Sequence, residues 1–95
     1  MIHITITTTT TSQKIEIKGH SDKGKEPCAR VTSAFEMLAN LLYKDRDEID
    51  RRDGYSLLVT TITSENQEQL KMAQAYFNHL QVHYQRTIKI ENKEV

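Results

Sequence analysis

Two side chains in this sequence are suited to nucleophilic chemistry and lie close enough along the chain to meet. They are His20 and Cys28, the second being the single cysteine. The stretch that carries them reads Gly19-His20-Ser21-Asp22-Lys23-Gly24-Lys25-Glu26-Pro27-Cys28-Ala29-Arg30-Val31-Thr32. A strand pattern ends at Gly19 and a helix pattern opens at Pro27, with a short polar loop between them. Proline suits the first helical position, because its missing N–H is one the helix leaves unpaired in any case. That makes Glu26 the expected N-cap and puts Cys28 at the second helical residue. Free N–H groups and the positive end of the helix dipole favour ionisation of a thiol held there. A nearby imidazole would accept its proton and later return it. The same N–H groups could hold a developing oxyanion. The competing reading is that a lone cysteine is a small buried hydrophobe and a lone histidine near a loop is structural.

Gly-His at a strand end, a glycine-containing loop, and Cys-Ala-x-Val-Thr opening a helix resemble the pattern of the Prp family, cysteine proteases that process a ribosomal protein. The resemblance runs to Asn40 and returns at Asp53-Gly54-Tyr55, where the family also has Gly-Tyr opening a strand. The resemblance implies a cysteine endopeptidase, with His20 and Cys28 as the catalytic pair and backbone N–H groups of Cys28 and Ala29 at the oxyanion. It implies a substrate, the N-terminal extension of a large-subunit ribosomal protein. It also implies a homodimer and a loop that rearranges on peptide binding. The chain departs from the pattern in two places. The His20–Cys28 loop is shorter than in most members, and Lys25 stands where members carry Asp three residues before the cysteine. Asp22 and Glu26 are the candidate stand-ins for that orienting carboxylate. Thr32 replaces the usual Ser.

Composition bounds the rest. The chain has 95 residues, which is one domain spanning 1–95. Its 13 basic and 13 acidic residues cancel, and no basic stripe marks it as a nucleic-acid binder. One cysteine excludes an intramolecular disulfide and fits a reducing, cytoplasmic setting. No run approaches the ~20 apolar residues of a membrane span, so no membrane association is expected. No cofactor is called for. His79 and His83 sit four apart, a spacing that ligates metals on helices, but no acid or cysteine nearby completes a site. No metal is expected there.

Along the chain, Ile2, Ile4 and Ile6 alternate with polar residues, giving a strand over 2–10 that includes the threonine run. Ser12-Gln13 is the expected turn. Ile15 and Ile17 continue the alternation in a second strand over 14–18, which forms a hairpin with the first. Gly19 supplies room or a positive φ where the chain leaves the sheet. The loop 21–26 is polar and expected to be mobile, with Lys23 and Lys25 adding positive potential near Cys28. From 27 to 44 the spacing is helical: Cys28, Val31, Phe35, Leu38 and Leu42 form a stripe that Ala34 and Leu41 widen, and Met37 and Tyr43 flank it as packing residues. Residues 44–53 are almost all charged and read as a solvated helix end and loop. Asp53-Gly54 marks a turn, and 55–63 a central strand apolar on both faces. Ser64 and Gln67 form a capping box for a second helix over 65–81, whose stripe is Leu70, Ala73, Phe77 and Leu80. Residues 87–91 make the last strand.

The expected fold is α+β: a single four-stranded sheet with two helices packed on one face, in the order β-β-α-β-α-β. Two functional readings follow. One is the Cys28/His20 endopeptidase acting on a peptide or protein substrate. The other is a non-catalytic paralogue that keeps the scaffold as a protein-interaction module, a reading that the short loop and the absent Asp before the cysteine fit.

Overall fold

In the computed structural model, residues 1–21 and 24–95 are described; the expectations for Asp22 and Lys23 lie outside them. The elements are β1 (Ile2–Thr8), β2 (Ser12–Gly19), α1 (Glu26–Leu41), β3 (Arg46–Arg52), β4 (Tyr55–Thr61), α2 (Gln67–His83) and β5 (Ile88–Glu94). The sheet has five strands in the order β3-β4-β2-β1-β5. All neighbours are antiparallel except β1 and β5, which run parallel. Ile2, Ile4, Ile6, Ile15, Ile17, Leu58 and Ile88 share one core with Val31, Phe35, Leu38, Leu42, Leu70, Phe77 and Leu80. Both helices therefore cover the face that the alternating isoleucines present. The α+β class, the single sheet and the two helices match expectation.

The correction is the fifth strand. Residues 46–52 pair with β4 through Ile49↔Leu58, Asp50↔Leu57 and Arg52↔Tyr55. Six of the seven residues of this strand, Arg-Asp-Glu-Ile-Asp-Arg-Arg, are charged, so alternation has one apolar residue to act on. β3 is a sheet edge, and a charged edge resists pairing with another chain. Its charge pattern thus fits an edge strand as well as a solvated loop. Asp53-Gly54 is the two-residue turn that closes the β3–β4 hairpin, with Gly54 at φ 72°.

Smaller corrections concern boundaries. The β1–β2 turn falls at 9–11 instead of Ser12-Gln13, because Thr9 Oγ1 accepts the Ser12 N–H at 2.9 Å and draws the chain back early. The cap of α1 is Lys25, and α2 starts at Gln67 behind the cap Asn66. A reciprocal exchange does exist before α2, but between Thr63 and Asn66 instead of Ser64 and Gln67. Thr63 N–H donates to Asn66 Oδ1 at 2.9 Å, and Asn66 N–H to Thr63 Oγ1 at 3.1 Å. Asn66 Nδ2 also donates to Asp45 Oδ2 at 3.0 Å and to Thr61 O at 2.9 Å, tying α2 to both ends of the β3–β4 hairpin. Met37, Leu41 and Tyr43 are exposed rather than packed, because the core is filled by the narrower stripe through Val31, Phe35 and Leu38.

The other sheet face is polar. Tyr55 Oη donates to Glu16 Oε2 at 2.8 Å, and Lys18 lies 3.6 Å from the same carboxylate. The Tyr55 hydroxyl foremost, then Lys18 and Lys14, hold the Glu16 carboxyl below its ordinary range against the opposing effect of burial. A lowered folded-state value stabilises the fold above the unfolded value, and that contribution is lost as pH falls through the folded one. Tyr55→Phe is therefore expected to flatten the acid-side loss of stability between about pH 5 and pH 3, read from urea midpoints across that range. Asn66→Ala, which strands the groups Asn66 serves, is expected to cost about 2 kcal/mol in urea unfolding at neutral pH.

Candidate active site

The end of β2 and the start of α1 meet at a cleft of about 460 Å³. Its floor is Ile2 and Ile17 on the sheet, one wall is Cys28, Val31 and Thr32 of α1, and its rim is His20 with the β3–β4 turn. His20 and Cys28 are thus brought to one cavity, as the sequence spacing anticipated.

His20 is placed by backbone. Gly19 leaves the sheet at φ 97°, where an L side chain is strained, and a Cβ there would lie 2.2 Å from Met1 O. Gly19 N–H donates to Gly54 O at 2.9 Å, and the Met1 amino group to His20 O at 2.7 Å. The imidazole rests on the β3–β4 turn: a Cβ added to Gly54 would lie 2.8 Å from His20 Nε2. The carboxylate beside the ring is Asp53, with Oδ1 3.6 Å from Nε2. This residue was missed in the sequence, where Asp53-Gly54 signals a turn and nothing about the ring the turn would meet.

Cys28 is placed by packing. One turn before Val31 on the buried side of α1, it is half-buried and touches the edge of the core. Its sulfur accepts the Ser21 N–H at 3.1 Å, which joins the strand end to the helix start. With Lys25 as cap, Cys28 is the third helical residue, one later than expected. Its N–H precedes the first intrahelical bond and belongs to the set the helix leaves unpaired. The Ala29 N–H makes that first bond, to Lys25 O at 3.0 Å, and is not free for an oxyanion.

Of the two candidate orienting carboxylates, Glu26 is the one among the described residues, and its partners are Tyr84 and Arg30 instead of the ring. Asp22 lies outside the described residues. Glu26 Oε1 accepts from Tyr84 Oη at 2.8 Å and from Arg30 at 3.0 and 3.1 Å, so it fastens α1 to the end of α2. The Tyr84 hydroxyl, followed by Arg30, holds the Glu26 carboxyl below its ordinary range. The far wall of the cleft is closed by a two-pronged ion pair from Arg51 on β3 to Glu36 on α1, with Nη2 to Oε2 at 2.8 Å. His79 and His83 stack at 6.2 Å between ring centroids, and among the described residues no three His, Cys, Asp or Glu side chains gather as a metal site. Among the same residues, no helix is long and apolar enough to cross a membrane.

No protein-family model and no curated protein matches the sequence. Solved structures do match in three dimensions. An essential ribosomal processing protease Prp from S. aureus, in complex with a covalently linked product peptide, superposes with a TM-score of 0.82 at 20% identity, covering 98% of this chain and 100% of that one. The same protease with a substrate peptide gives 0.76 at 19% identity, over 98% of this chain and 100% of that one. SMU.848 from Streptococcus mutans gives 0.74 at 19% identity, over 100% of this chain and 96% of that one. A fold shared over 98% of the chain, at a TM-score of 0.82, makes this chain a protein of the Prp fold.

Proposed function

We propose that the protein is a cysteine endopeptidase that trims the N-terminal extension of a large-subunit ribosomal protein, working in the cytoplasm as a homodimer. The observation that carries the reading is the single cysteine, half-buried at the mouth of α1 in one cleft with His20, its sulfur already accepting an N–H from the strand end. A structural cysteine has no need of a cleft or of a histidine beside it. The fold likeness to a protease solved with substrate and product peptides supports the same reading.

In this mechanism Cys28 Sγ attacks the scissile carbonyl carbon, and its proton passes to His20. A C–S bond forms and the carbonyl electrons move to oxygen, where the Cys28 N–H holds the charge. Collapse breaks the C–N bond, and His20 gives its proton to the leaving amine. Water then cleaves the thioester with His20 as base, which restores the thiol.

The test is incubation with a peptide copying the extended N-terminus of the ribosomal precursor from the same cell. Wild-type protein is expected to cleave it once. Cys28→Ser is expected to lower turnover by at least about a thousandfold with the fold intact. His20→Ala is expected to lower it by at least about a hundredfold while Cys28 still alkylates with iodoacetamide. Absence of cleavage, together with alkylation no faster than that of a free thiol, would reject the protease.

A further inference from the structure

The β3–β4 turn has no role in the mechanism above, yet it meets the imidazole twice. Gly54 approaches the ring so closely that an added Cβ would lie 2.8 Å from Nε2, and Asp53 Oδ1 lies 3.6 Å from the same nitrogen. The turn is itself anchored to the strand that carries the ring, through Gly19 N–H to Gly54 O at 2.9 Å. We infer that Asp53 is the positioning residue for His20, holding the proton on Nε2 and leaving Nδ1 as the nitrogen that receives the Cys28 proton. The inference rests on the Cys28/His20 reading.

The physical argument is geometric. A neutral imidazole carries its proton on either nitrogen, and the hydrogen bond made by one nitrogen decides which is basic. A carboxylate on the Nε2 side accepts the Nε2–H and disfavours the tautomer protonated on Nδ1. It also steadies the imidazolium that forms when the thiol proton arrives, without taking a proton itself. At 3.6 Å the contact has ion-pair range, longer than a hydrogen bond. Asp53 is 98% exposed, so its side chain is free to turn toward the ring, and such contacts shorten when substrate enters a free site. Gly54 is required beside it: any side chain would strain the backbone at φ 72° and press on the ring the turn supports.

The arrangement also answers the departure from pattern at Lys25. Glu26 is occupied by Tyr84 and Arg30 on the side of α2. The carboxylate that flanks the histidine comes instead from a hairpin distant in sequence. As a solvated residue in a two-residue turn, Asp53 contributes nothing to the core, and its replacement leaves the hairpin pairing Arg52↔Tyr55 in place.

The experiment compares wild type, Asp53→Ala, Asp53→Glu and Asp22→Ala, each checked for folding by circular dichroism. The first measurement is steady-state cleavage of the precursor peptide. Asp53→Ala is expected to lower kcat about tenfold or more with KM changed by less than about twofold, because orientation of the base matters in the transition state and not in peptide binding. Asp53→Glu is expected to return kcat to within about threefold of wild type, and Asp22→Ala to stay within that range. A kcat for Asp53→Ala within about twofold of wild type, or a loss confined to Asp22→Ala, overturns the assignment. The second measurement is the ¹⁵N spectrum of the His20 imidazole in the resting protein, which needs no substrate. It is expected to report the Nε2–H tautomer in wild type and a mixture in Asp53→Ala. If wild-type protein cleaves no peptide and Cys28 alkylates no faster than a free thiol, the protease reading fails and the spectrum alone decides where the proton sits. Identical tautomer populations in the two proteins overturn the positioning role, and a shift toward Nδ1–H upholds it.

Discussion

Strand β2 is hydrogen-bonded along both flanks, to β1 on one side and β4 on the other, and the rest of the molecule depends on that double pairing. A strand held on two sides cannot slip by one residue without turning its whole apolar face to water. Its last residue, Gly19, therefore has one place to be, and His20 follows it out of the sheet. Cys28 comes to meet it by a separate route. The burial of Val31, Phe35 and Leu38 fixes the rotation of α1 about its axis, and Cys28 lies on the same side, one turn earlier. Two ordinary consequences of core formation thus deliver a thiol and an imidazole to one cleft, and the Ser21 N–H to the sulfur joins the strand end to the helix start.

Much of this was legible in the sequence. Ile2, Ile4 and Ile6, then Ile15 and Ile17, alternate because one face of each strand is buried, and Gly19 breaks the pattern where the backbone needs a positive φ. The helical stripe of α1 places Cys28 at its start. What escaped reading is non-local. β3 carries one apolar residue, Ile49, so its strand character comes from the partner it pairs with and not from its own pattern. The Asp-Gly turn is visible as a turn, but the ring it supports belongs to a strand far back in the chain. Glu26 looks free to serve a histidine until α2 folds back and brings Tyr84 to it. In the same way, Met37 and Tyr43 have helical spacing, and only the fit of two helices on the sheet decides that they stay outside.

The solvated sheet face shows how a chain of zero formal net charge distributes its ions. Across the strands, like charges are held one strand apart: Lys18 and Lys89 flank His3, and Asp50 and Glu16 flank Leu57. Like charges facing each other across strands are unfavourable. Opposite charges also pair along single strands, Lys18 with Glu16 at 3.6 Å, Arg52 with Asp50 at 2.9 Å and Lys93 with Glu91 at 3.6 Å. Exposed pairs of this kind add little to stability. Their effect is to keep the face wet and the edge strands β3 and β5 unattractive to further strands.

The parallel pairing of β5 with β1 sets the order in which the molecule can be made. The β1–β2 and β3–β4 hairpins join neighbours in sequence and form early, as local contacts do. β1 lacks its second partner until the last strand is present, because Ile2 pairs with Ile88 from the other end of the sequence. Closing so long a loop is slow, and a sheet completed this way has a high contact order. During synthesis, the flank of β1 stays open while everything up to α2 has already left the ribosome. The nascent chain therefore waits with one unpaired strand edge until β5 emerges, and only then does the sheet close.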